Sequence, residues 1–240
     1  FAGPWIATSI ALLFAALVTW VFLRPDPQGL VLTDRVVEDD PHGACDSMSS
    51  ALANGSIQVG VLAMLVGQAA MTLVMVVVPL HMHGEAHSAN TISLAMTVHV
   101  VGMFALAPVT GRLVDAIGSR IVVLFGGFFL LLASVLASMD AGLGTIFPSV
   151  FLVGYGWNAC YVGGSSLLAK GIAVRIRARV QGRIEALTAI IGALSSVVAG
   201  PLLVGGSGMG WVGAASFAVA VGLIIGLGGG RIIHRSVGQT

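Results

Sequence analysis

The chain has 240 residues, 57% of them hydrophobic and only 9% charged, with 33 glycines and a net charge of +1. A water-soluble domain carries about 25% charged residues, so a solvated globular surface is excluded, and the balanced charge speaks against a nucleic-acid partner. Two cysteines, Cys45 and Cys160, are too few and too far apart for a disulfide framework.

The composition is that of an integral membrane protein, in which small residues let helices approach closely. Seven stretches are apolar enough to span about 30 Å of hydrocarbon, near 5–23, 57–80, 91–111, 121–139, 145–168, 184–204 and 210–230. Their length and the lack of two-residue alternation predict helices rather than a barrel. The fold class expected is an all-α membrane bundle. Phe1 stands directly before the first apolar run, so the chain reads as the later part of a longer protein.

The domain division follows the same order. Residues 1–23 form one membrane helix, and 24–56 form a long cytoplasmic loop with Pro25, Pro27, Pro41 and the acidic Asp34, Glu38, Asp39 and Asp40. Residues 57–240 form a compact set of six helices with a short tail. All eleven basic residues fall in alternate connections or the tail: Arg24 and Arg35, Arg112 and Arg120, Lys170 to Arg183, then Arg231 and Arg235. The positive-inside rule places those segments in the cytoplasm. The Lys170–Arg183 segment would also meet anionic membrane lipids. No carboxylate falls deep in a span by this division, since Asp115 and Glu185 lie near cytoplasmic ends.

Met71 and Met75 on the second span, and His99 and Met103 on the third, form two i,i+4 pairs, each on one side of a helix. Thioether sulfur is a soft, neutral ligand suited to Cu(I), and imidazole also suits copper. At about 1.5 Å per residue, both pairs fall roughly 8–18 Å below the outer ends of two antiparallel spans, near the midplane. His99 is the one ionisable side chain expected deep in a span, a position that marks functional residues. Six of the nine methionines lie between 64 and 103. His81, His83 and His87 outside, Cys160 in the fifth span, and His42, Cys45 and Met48 inside are secondary metal candidates. Methionine also fills apolar gaps, and free cysteine is often simply buried.

The segment Gly111-Arg112-Leu113-Val114-Asp115-Ala116-Ile117-Gly118-Ser119-Arg120 resembles the signature G-x-x-x-D-x-x-G-x-[R/K] of the major facilitator superfamily. That resemblance implies that the spans are the family's helices six to twelve, that 24–56 is its central loop, and that the first five helices are needed to complete a transport pathway. It also implies that Gly111, Arg112, Asp115, Gly118 and Arg120 act as a conformational latch. Gly111 and Gly118 would permit tight helix ends. The Met71/Met75 and His99/Met103 pattern further resembles a branch of bacterial copper importers that supply copper for cbb3-type cytochrome oxidase assembly. The implied activity is copper import across the bacterial cytoplasmic membrane by alternating access. Copper is then the transported substrate, released to a cytoplasmic acceptor, with no resident cofactor.

Two other readings stand beside it. One is a carrier of a small organic solute or drug, with a pocket of Gln68, Tyr155, Trp157 and Asn158. The other is a non-transporting, copper-binding assembly factor. Glycine-rich runs such as Gly205–Gly208 lack the lysine and strand of a nucleotide loop. No Ser/His/Asp set or paired carboxylates suggest an enzyme.

Overall fold

The computed structural model describes residues 3–22, 47–139 and 142–205, and every regular element in them is an α-helix. The expected all-helical class is what the chain adopts. The seventh span, most of the 24–56 loop, and residues Arg24, Arg35, His42, Cys45, Arg231 and Arg235 lie outside the described residues. The chain divides into two compact units at His42. In the first, α1 (Gly3–Phe22) is apolar all round, with Leu13, Phe14 and Phe22 all exposed. A helix of that kind belongs in lipid or among other helices.

The second unit opens with a short helix, α2 (Met48–Ala53), closed by a Ser47/Ser50 capping box. Asn54 then caps α3 (Gly55–Gly84), accepting from the backbone N–H groups of Ser56 and Ile57. A turn through Ala86 at φ 58° leads to α4 (Ala89–Phe104), capped by Ser88. The third expected span does not run straight. It breaks at Ala105 and Leu106 and resumes as α5 (Ala107–Ile117), with Pro108 in its first turn. Pro108 has no N–H to continue the α4 ladder and its ring clashes with the carbonyl four residues back, which accounts for the break.

Next come α6 (Ser119–Met139), α7 (Leu143–Gly171) and α8 (Val174–Gly205). By length and composition, four segments among the described residues can cross a membrane: Gly55–Gly84, Ala89–Ile117, Ser119–Met139 and Ile176–Pro201. Helix α7 is less apolar, with Tyr155, Trp157, Asn158 and several glycines, because it is the central helix. It packs on α6, α3 and α4, so protein rather than lipid surrounds it. Where α3 crosses α7, Gly60 and Gly164 meet backbone to backbone; a Cβ on Gly60 would lie 2.8 Å from the Gly164 carbonyl oxygen.

Buried polar groups tie the helices together. Ser149 Oγ donates to the Ala133 carbonyl at 2.9 Å, joining α7 to α6. Thr110 Oγ1 donates to Asn158 Oδ1 at 2.7 Å, joining α5 to α7, with both residues buried. Replacing Thr110 by the isosteric valine strands Asn158 Oδ1. An interhelical hydrogen bond of this kind contributes about 0.6 to 2 kcal/mol in a membrane protein. Thr110→Val should therefore lower thermal stability in detergent measurably without changing expression, and Thr110→Ser should retain it.

Candidate functional site

Two groups of side chains merit comparison, and the metal candidates come first. Met71 and Met75 on α3, with Met96 on α4, pack at the edge of one apolar cluster containing Val74, Val77, Val78 and Val150. His99 is 5% exposed, and its Nδ1 lies 2.9 Å from the Val150 carbonyl of that cluster. A carbonyl can only accept, so Nδ1 carries the proton and Nε2 holds the lone pair. This is the arrangement of a metal-binding histidine oriented by a backbone carbonyl, and equally of a satisfied buried one. Helices α3 and α4 touch each other only slightly, because α7 lies between much of their length. The backbone of Met103 packs on Gly154 of α7.

The secondary candidates are dispersed. Cys160 is fully buried, its side chain between Gly67 of α3 and Gly126 of α6. His81 and His83 belong to the last turn of α3, and His87 follows in the turn. Among the described residues no three His, Cys, Asp or Glu side chains gather as a metal group.

The signature segment takes a different shape from the one expected. Gly118 does terminate a helix, at φ +90°. Gly111 does not, because α5 continues through it to Ile117, with Thr110 and Val114 buried along its inner face. Arg112 and Asp115 are exposed on α5, and Asp115 has no ion pair among the described residues. Arg120, in the first turn of α6, donates instead to Ser56 Oγ at the start of α3.

The second group surrounds an open cavity of about 310 Å³ lined by Gln68, Trp157, Tyr161, Glu185, Thr188 and Ala189. Three helices build it by i,i+4 spacing: Gln68 and Thr72 from α3, Trp157 and Tyr161 from α7, Glu185 and Ala189 from α8. Trp157 Nε1 donates to Gln68 Oε1 at 3.0 Å, and Gln68 Nε2 donates to Thr72 Oγ1 at 3.2 Å. The amide is thereby fixed in one orientation. The Trp157 and Tyr161 rings stack with centroids 5.0 Å apart and planes 21° apart, and Phe104 of α4 meets Trp157 edge-on. Tyr161 Oη donates to Glu185 Oε1 at 2.6 Å, a short, charge-assisted bond. Gly192 admits α8 beside Gln68, since a Cβ there would already lie 3.1 Å from Nε2.

Two of the four residues expected to form an organic-solute pocket line this cavity. Gln68 and Trp157 line it, but Tyr155 faces α6, where its ring packs 5.0 Å from Phe129, and Asn158 is committed to Thr110. Tyr161, Glu185 and Thr188 were not expected. Glu185 is the twelfth residue of α8, because that helix starts ten residues ahead of the predicted span. Its side chain turns inward to a cavity shared with Trp157, the middle residue of α7. The signal for Tyr161 was present in the sequence as its i,i+4 relation to Trp157.

Comparison with known proteins matches the Major Facilitator Superfamily model over residues 60–236. The chain belongs to the major facilitator superfamily. Among curated members, it is 30% identical over 210 residues to the uncharacterised MFS-type transporter YdeG of Bacillus subtilis, covering 86% of this chain and 49% of that protein. It is 25% identical over 206 residues to the riboflavin transporter RfnT of Brucella anthropi, covering 85% of this chain and 49% of RfnT. A shorter match, 26% over 111 residues, covers 46% of this chain and 28% of the multidrug resistance protein MdtL of Vibrio parahaemolyticus. The chain thus spans about half the length of the first of these relatives. Major facilitators are multi-pass membrane carriers rather than enzymes, and the apolar helices of this chain fit that class.

Proposed function

We propose that this chain supplies one half of a carrier for a small organic solute, with the Gln68–Trp157–Tyr161–Glu185 cavity as its part of the binding site. The observation that carries the reading is the cavity itself: hydrogen-bonding groups and a carboxylate converge on a stacked aromatic pair. Organic-ligand sites have this composition of apolar walls and few, fixed polar groups. Relatives named for riboflavin and for multidrug resistance support a solute of organic character. Alternating access of this half against the other would expose the cavity to each side in turn.

The test is transport by cells making the full-length protein, using riboflavin, planar dyes and radioactive copper as probes. Gln68→Leu keeps the volume but removes the acceptor for Trp157 and the amide facing the cavity. We expect at least tenfold slower transport of an organic probe with unchanged protein in the membrane. Unchanged transport in that variant would remove the cavity from the pathway.

A second reading is copper import across the bacterial cytoplasmic membrane, as by CcoA, the bacterial copper importer whose Met/His pattern Met71, Met75, His99 and Met103 resemble. It is favoured by one observation, the His99 ring with Nδ1 on the Val150 carbonyl and the Nε2 lone pair available, near the cluster on which Met71 and Met75 pack. Met103, the five preceding helices and a cytoplasmic copper acceptor would complete that route. Copper uptake lost in His99→Ala, with no organic probe moved, would establish it in place of the first.

A further inference from the structure

Among the described residues, Glu185 is the one charged residue lining the cavity. Its hydrogen-bond partner is the neutral Tyr161 hydroxyl, and no Lys or Arg pairs with it among the described residues. Arg183, two residues earlier, lies on the far side of α8 and is exposed. The carboxylate stands beside two stacked rings whose faces carry negative electrostatic potential. From these facts we infer that the cavity selects planar organic cations over neutral or anionic solutes of the same shape.

The inference rests on the organic-solute reading and narrows it to a charge class. A neutral solute would strip water from the Glu185 carboxylate without supplying a counter-charge, which is costly in a partly dry site. An anion would face like charge from the carboxylate. A cation supplies the missing charge to Glu185 and also gains from the aromatic lining, an interaction that strengthens as water leaves. Tyr161 donates to Oε1, so Oε2 remains for a ligand N–H donor. Gln68, fixed by Trp157 and Thr72, adds an oriented amide to the lining beside the aromatic pair.

The experiment measures binding to purified full-length protein in detergent at neutral pH, using three tricyclic probes of one shape. These are 9-aminoacridine, which is cationic, acridine, which is neutral, and acridine-9-carboxylate, which is anionic. We expect 9-aminoacridine to bind at least tenfold tighter than acridine, and the carboxylate weakest. Glu185→Gln should abolish that preference, weakening 9-aminoacridine at least tenfold and relieving the penalty on acridine. Acridine binding as tightly as 9-aminoacridine in the wild type would overturn the inference, as would a preference that survives Glu185→Gln. Either result leaves an organic-solute site standing, provided Gln68→Leu weakens all three probes. No binding of any probe removes the organic-solute reading and the charge preference together. Should Glu185→Gln fail to fold, the wild-type order of the three probes decides, and Glu185→Asp, which keeps the charge, should preserve that order.

Discussion

Alanine in place of Gly154 should cost the protein about 1 to 3 kcal/mol of stability, the range for overpacking a well-fitted core. Gly154 sits on α7 where α4 crosses it at backbone distance. The added Cβ would stand 2.5 Å from the His99 carbonyl oxygen, 3.1 Å from the Met103 amide nitrogen and 3.2 Å from His99 Nδ1. Backbone atoms cannot rotate away as a flexible side chain can, so the two helices must separate. Val150 lies one turn away on α7, so separation also stretches its 2.9 Å hydrogen bond with His99. Thermal unfolding followed by size-exclusion chromatography in detergent should show the loss, and Gly154→Leu should not accumulate as a monodisperse species. Gly144, on the same helix, has no atom within 4 Å of a new Cβ and serves as the control. Equal stability of the Gly154→Ala and Gly144→Ala proteins would mean that α4 and α7 do not meet in this register.

Trp157→Ala should reduce transport of an organic probe by about 10- to 100-fold, corresponding to roughly 1.4 to 2.8 kcal/mol. The change deletes one of the two stacked rings, removes the donor that orients Gln68, and leaves Phe104 without its edge-on partner. Trp157→Phe separates these contributions. It keeps an aromatic face for Tyr161 but leaves Gln68 Oε1 without its donor, and a stranded acceptor costs about 1 to 3 kcal/mol. We therefore expect Trp157→Phe to retain most of the affinity for a flat ring while losing discrimination among hydrogen-bonding substituents. Transport assays in cells, normalised to membrane protein, check both. An alanine variant as active as wild type would show that the stack is only a packing feature.

The helices were legible because their signal is length and hydropathy, which a membrane imposes on each segment separately. The starts of α3, α6 and α7 fall within two residues of the expected spans. The start of α8 does not, because Arg175, Arg177, Arg179 and Arg183 read as a loop by charge although the backbone there is helical. A hydropathy argument finds where a helix meets hydrocarbon, not where its hydrogen bonding begins. That single displacement concealed Glu185, which looked like an interfacial acid and is a cavity residue. The break at Ala105 was signalled by Pro108, yet the apolar run continued through it and masked the interruption.

The candidate site was harder to read for a different reason. Periodicity tells which residues share a face of one helix, but not which helix that face meets. Met71, Met75, His99 and Met103 have the spacing of two opposed pairs, whereas α7 lies between much of α3 and α4. Tyr155 and Asn158 share α7 with Trp157 but point towards α6 and α5. Glu185 and Tyr161 are 24 positions apart in sequence, and no pattern within either helix announces their hydrogen bond.

The glycine crossings along α7 have a mechanical consequence. Gly60 against Gly164, Gly102 against Phe151, and Gly126 against Gly156 and Cys160 bring three neighbouring backbones into direct registry with α7. Surfaces meshed at that distance cannot slip by a fraction of a turn without collision, so α3, α4, α6 and α7 form a rigid block. Helix α8 is attached otherwise: it packs mainly on α3 and only lightly on α7. The aromatic wall of the cavity thus belongs to the block, while its carboxylate wall belongs to the helix held least tightly to α7. The breadth of the cavity between Tyr161 and Glu185 is set by the tilt of a single rod, braced across that gap by one hydroxyl.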